Sequence, residues 1–107
     1  MEWGFSSENS LGYARVAAGG ADSAVLVSSL TFGQAGGPGI PAGTKLLLIQ
    51  PAVQGCRWRD DGVAPTTSAG YLLPVGAELK YTANSMASLQ VISSPAGCSL
   101  DIAAYGP

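Results

Sequence analysis

The residues that could do chemistry are few, and their spacing works against most of it. The 107-residue chain has no histidine, and nucleophilic catalysis by serine or cysteine ordinarily needs a histidine base. A serine–lysine arrangement would need Lys45 or Lys80 beside a serine motif, and each stands instead in a strand-like run without one. Glycoside hydrolysis needs two carboxylates converging in a cleft. Asp60 and Asp61 are adjacent, so on a strand they would point to opposite faces; at a turn they would more often hold backbone amides. Asp60, Asp61 and a carbonyl could ligate a metal, but the EF-hand spacing is missing. Gly36, Gly37 and Gly39 lack the lysine and the following helix of a phosphate loop. The expectation is a protein that is not an enzyme and uses no cofactor.

The two cysteines, Cys56 and Cys98, stand far apart without CxxC spacing, so a structural zinc site is not expected. A disulfide would close a long loop, but a reducing compartment argues against it. Both are read as small buried hydrophobes.

Composition narrows the partners. Hydrophobic residues make up 47% of the chain and charged residues 11%, with a net charge of −2; ordinary globular domains carry about a quarter charged residues. A surface this neutral resists association poorly, which favours burial against a partner. The five cations, Arg15, Lys45, Arg57, Arg59 and Lys80, form no basic stripe, so nucleic acid is not an expected partner. No apolar run is long enough to cross a bilayer as a helix, so a membrane is not expected either. The start, Met1-Glu2-Trp3, lacks the basic and apolar regions of a signal peptide, which predicts synthesis in, and release from, a cytoplasm.

The elements that must position these residues read as strands. Gly (15) and Pro (7) supply about a fifth of the chain and fall as punctuation. Between them, the runs 24–32, 44–50, 53–60, 69–74, 78–82, 87–93 and 97–105 are rich in Val, Ile, Leu, Thr and Tyr. No segment sustains a helical apolar period. Alternation puts Cys98, Leu100, Ile102 and Ala104 on one face, against Ser99, Asp101 and Tyr105. It puts Leu89 and Val91 inward, and Cys56 and Trp58 opposite Arg57 and Arg59. It also sets Leu79 and Tyr81 against Glu78 and Lys80. The run Lys45–Ile49 is apolar on both faces, as in a central strand or one covered by a neighbouring subunit. The predicted fold is an all-β two-sheet sandwich over residues 24–107, with a jelly roll as the favoured version. Residues 1–23, with Trp3, Phe5 and Tyr13 in polar surroundings, are set apart as an extended N-terminal arm. Such a segment frays unless tied down. It either adds a strand to its own sheet or lies across a neighbouring chain with Trp3 and Phe5 as anchors.

The block Cys56–Leu79 is the most informative stretch. A strand with Trp58 inward and Arg57 and Arg59 outward runs into the turn Asp60-Asp61-Gly62, where Arg59 can pair with Asp60 or Asp61, or with a carboxylate elsewhere, and fix the loop. Pro65-Thr66 then leads to a second strand and another glycine turn. The arrangement Arg57-Trp58-Arg59-Asp60-Asp61-Gly62, Pro65-Thr66, Gly70, Leu73-Pro74, Gly76 and Leu79 resembles a block in small virion proteins of tailed bacteriophages. The likeness runs on through Tyr81 and covers roughly residues 44–105. It implies a jelly-roll or sandwich module bound to the virion, often a head decoration (cement) protein, and transfers no catalytic residue.

The expected function is therefore a capsid decoration protein on the outer surface of a phage head, made in the host bacterial cytoplasm. Its expected partners are the major capsid protein and itself, as a homodimer or homotrimer. Trp3, Phe5, Tyr13, Arg57 and Arg59 are the candidate protein contacts, and Asp60, Asp61 and Gly62 the structural turn. The alternative is a glycan- or receptor-binding module of a tail or head fibre, with Trp3, Tyr13 and Tyr71 as its candidate aromatics. A flat apolar surface with an extended arm would favour decoration, an aromatic-lined cleft glycan binding, and a deep polar pocket catalysis.

Overall fold

A computed structural model describes residues 9–33, 39–82 and 84–107. Among the described residues eight strands follow one another: β1 (Asn9–Val16), β2 (Val25–Leu26), β3 (Leu46–Ala52), β4 (Cys56–Arg59), β5 (Tyr71–Leu73), β6 (Leu79–Tyr81), β7 (Gln90–Ser93) and β8 (Ser99–Gly106). Single 3-10 turns at Val27–Ser29 and Met86–Ser88 interrupt them. Among the described residues no helix is long and apolar enough to cross a membrane.

The strands form two antiparallel four-stranded sheets, in the orders β1-β8-β3-β6 and β2-β7-β4-β5. Four of the pairings, β1 with β8, β2 with β7, β3 with β6 and β4 with β5, join strands equally far from the β4–β5 connection. That is one long antiparallel ribbon rolled up so that β8 also meets β3 and β7 also meets β4. Rolled in this way, eight strands make a jelly-roll sandwich.

The core lies between the inner faces. Leu47 and Ile49 of β3 and Leu100, Ile102 and Ala104 of β8 pack with Cys56, Val91, Leu89, Val27 and Phe32. The alternation in 97–105 is as expected, with Cys98, Leu100, Ile102 and Ala104 fully buried. The doubly apolar run Lys45–Ile49 lies in β3, which is internal to its sheet, between β8 and β6. Leu47 and Ile49 turn into the core, while Leu46, on the other face, is only 5% exposed.

The N-terminal segment takes the first of its two alternatives from Asn9 onward. β1 pairs along β8, with Ala14 and Val16 buried in the core and Tyr13 and Arg15 outward. The sandwich therefore includes residues 9–16 of the segment set apart as an arm. Trp3 and Phe5, together with Gly36 and Gly37, lie outside the described residues. The edge of β1 is not left bare: the Tyr13 amide donates to the Phe32 carbonyl (3.0 Å), and Phe32 is buried. The run 24–32 gives only two strand residues, because the Leu30 amide bonds back to the Val27 carbonyl and the Ser29 hydroxyl to the Leu26 carbonyl. Local hydrogen bonds of this kind compete with a sheet ladder.

Antiparallel succession sorts the connections to two ends of the sandwich. The loops β1–β2, β3–β4, β5–β6 and β7–β8 share one end, tied by Gly97 N to Asp22 Oδ1 (3.0 Å) and Gly76 N to the Pro51 carbonyl (3.0 Å). The loops β2–β3, β4–β5 and β6–β7 share the other.

Candidate functional site

Two surfaces stand out, one at each end. The first begins at the turn between β3 and β4. Val53 has φ +74°, and the Gln54 amide bonds to the Ala52 carbonyl across it (2.9 Å). This is a γ-turn of the rare, strained kind, and a β-branched residue is the costliest occupant of that conformation. Yet the side chain is 69% exposed. Beside it runs the β5–β6 turn, whose Val75 is 55% exposed. A Cβ on Gly55 would come within 2.9 Å of the Leu73 carbonyl, so only glycine lets the two turns approach this closely. Leu72, also 55% exposed, carries the apolar surface along β5, an edge strand. Val53 and Val75 are thus exposed on adjacent turns, and Leu72 is exposed on the edge strand that leads into the second; these three residues are the apolar strip.

The second surface is an open cleft of about 320 Å³ at the opposite end, lined by Arg59, Asp60, Asp61, Gly70 and Tyr71. Inward alternation in β4 carries Cys56 and Trp58 into the interior, and Asp60 continues it past the end of the strand. Asp60 Oδ2 there accepts from the hydroxyl of Tyr81 (2.5 Å), which reaches over from the other sheet. Burial first, and then the bond to Asp60, pushes the Tyr81 phenol up to about 12, so it stays a donor. Trp58 links the three rings: its centroid lies 4.9 Å from Tyr71, tilted by 37°, and 6.0 Å from Tyr81, edge-on. Both geometries are favourable for aromatic pairs.

Outward alternation places Arg59 beside Asp61. Nε donates to Oδ1 (3.0 Å) and Nη2 to Oδ2 (2.5 Å), a bidentate pair. Asp61 Oδ1 also accepts from the Val63 amide (3.3 Å), and Gly62 follows with φ +85°. The guanidinium and this amide hold the Asp61 carboxyl below its usual range. Of the partners open to Arg59 in the sequence, the structure selects Asp61; Asp60 turns the other way and binds Tyr81.

Arg57 latches the loop from outside. Its Nη1 donates to the Gly70 carbonyl (2.9 Å) and its Nε to that of Thr67 (3.3 Å), which also accepts from the Ser94 hydroxyl (3.1 Å). The 65–70 segment is thereby folded over the outer face of β4 and β7. This accounts for Ile92, which points away from the core yet is only 7% exposed. Gly70 makes the fold-over possible: φ is +128°, and a Cβ would lie 3.2 Å from both Pro65 Cβ and the Trp58 carbonyl.

Of the other candidates, Tyr13 stands half exposed on the outer face of its sheet, remote in register from both surfaces, with its hydroxyl on Asp101. Cys56 and Cys98 are free thiols, both buried. Burial, with Cys98 nearby, pushes the Cys56 thiol up to about 12. What sequence reasoning missed is the apolar strip and the meeting of Asp60 with Tyr81. The one available signal for the strip was Val53 and Val75 standing in turns, where apolar residues are out of place. Comparisons with protein-family models, curated proteins and solved structures find no match to this chain.

Proposed function

We propose that this protein is a capsid decoration protein that seats its apolar strip on the outer surface of a phage head and bridges neighbouring capsid subunits. The observation that carries the reading is the exposure of Val53 and Val75 on adjacent turns and of Leu72 on the edge strand beside them, with Val53 on a strained turn. Strained backbone tends to gather at functional sites, and exposed apolar patches tend to mark protein contacts. The low charge of the chain, 11%, suits a protein that stays bound. The resemblance of residues 44–105 to small virion proteins of tailed phages gives the partner: the major capsid protein, met by a symmetric oligomer of this chain. Stabilisation then follows from mass action, since a ligand of the intact shell favours the intact shell.

The test uses heads assembled without this protein. Adding it back raises the temperature at which the heads release DNA, and Leu72→Asp or Val75→Asp lowers the affinity for heads by about tenfold or more. Both positions are exposed, so the variants keep their fold, which circular dichroism verifies. Heads equally heat-resistant with and without the protein would overturn the reading, as would Asp variants that bind as well as the parent.

A further inference from the structure

We propose that the cleft between Arg59 and Tyr71 is a binding site for a neutral saccharide. The cleft lies at the end of the sandwich opposite the Val53 and Val75 turns, so its occupancy does not depend on where those turns are seated. Three features of the cleft converge on this ligand class. The first is the ring of Tyr71, which is 65% exposed although it leans on Trp58. An aromatic ring held on one side and wet on the other offers a platform for an apolar face, beside a polar hydroxyl.

The second is the mixture of charges. Arg59, Asp60 and Asp61 line the same cleft. Arg59 and Asp61 largely cancel in their bidentate pair, which leaves the Asp60 carboxylate, held by the Tyr81 hydroxyl, to oppose an anion. A neutral ligand does not meet that barrier and can use the paired groups, provided it offers both donors and acceptors. A saccharide does so, and also presents the C–H face that Tyr71 requires.

The third is that the polar groups are held before any ligand arrives. Asp61 is fixed by Arg59 and the Val63 amide, and Asp60 by Tyr81. Gly70 keeps the loop in place through its carbonyl bond to Arg57. Groups fixed in this way lose little freedom on binding, which is how a small site reads hydroxyl positions. The volume of about 320 Å³ falls at the small end of ligand sites, suiting one or two sugar rings.

The experiment is an amide-resolved NMR titration of the intact protein. The probes are the methyl glycosides of glucose, galactose, mannose and N-acetylglucosamine, with arginine amide and acetate as charged controls. The expected result is millimolar binding of at least one glycoside, with shifts centred on residues 59–62, 70–71 and the Trp58 indole. Tyr71→Ala weakens that binding by about tenfold, and Asp60→Asn weakens it too, while Tyr71→Phe retains it. Each variant is checked for an unchanged melting temperature; if Tyr71→Ala melts early, Tyr71→Leu, which keeps apolar bulk on Trp58 without the ring, replaces it. No shift in these residues with any glycoside would overturn the proposal. Binding of arginine amide or acetate alone would also overturn it, in favour of a charged occupant.

Discussion

Arg59 and Asp61 face each other across two bonds, Nε to Oδ1 at 3.0 Å and Nη2 to Oδ2 at 2.5 Å, although only one residue separates them in the chain. The pair closes the loop that leaves β4, and the Val63 amide completes it from the far side. Because the folded Asp61 carboxyl lies below its usual range, its contribution to stability is present above the unfolded pKa. It is lost as the pH falls through the folded value. Carboxyl-resolved NMR should therefore find Asp61 titrating below an ordinary aspartate, and Asp61→Asn should flatten the acid limb of the stability curve. An Asp61 that titrates like a free aspartate would remove the pair from the account.

Val53→Gly should make the protein more stable and a poorer binder. The φ of +74° suits glycine, and relieving a strained residue returns about 1–3 kcal/mol, less the 0.5–1 kcal/mol that glycine loses in entropy. Denaturant unfolding should show a higher midpoint, and the variant should hold less well to heads because the exposed side chain is gone. A lower midpoint would mean that Val53 is anchored by contacts that outweigh its strain.

Gly106→Ala should destabilise by about 1–3 kcal/mol or more. A Cβ there would stand 2.4 Å from the Gly43 carbonyl and 2.7 Å from Leu11 Cδ1. The leucine side chain can move, but the carbonyl belongs to the backbone that leads into β3. Thermal unfolding measures the loss; an unchanged melting temperature would show that the 43–45 segment yields freely.

The thiols of Cys56 and Cys98 should be silent in the native protein. Both are buried, and the Cys56 thiol is pushed up to about 12, so almost no thiolate forms at neutral pH. A chromogenic disulfide reagent should label neither until denaturant is added, and then label both. Labelling at the rate of a small free thiol under native conditions would contradict their burial.

The parts of the fold that were legible in the sequence are those where alternation coincides with strong hydrophobicity. Cys98, Leu100, Ile102 and Ala104 announce β8, and the doubly apolar Lys45–Ile49 announces an interior strand. A strand in the N-terminal segment was only one of two alternatives in the sequence, and β1 lacked a clear signal for a physical reason. It turns small residues, Gly12 and Ala14, toward the core, and its register slips between Ser10 and Gly12, so the period is broken. The Asp60-Asp61-Gly62 turn and the partner of Arg59 are local and could be foreseen. Asp60 with Tyr81 could not, because that contact joins residues in different sheets and depends on how the sheets are packed. The same holds for the cleft, whose exposed Tyr71 is a strand residue like any other until its neighbours are placed.

The rolled ribbon also governs the order of events at the ribosome. β8 pairs with both β1 and β3 and follows the other seven described strands in chain order. Until it emerges, β1 has no ladder at all and β3 only the short β6. A nascent chain thus carries β3, its most apolar strand, with one edge unpaired until β8 has emerged, and sheets closed by distant segments assemble slowly. Expression at lower temperature, or with holdase chaperones in excess, should give a larger soluble fraction than stronger promoters do.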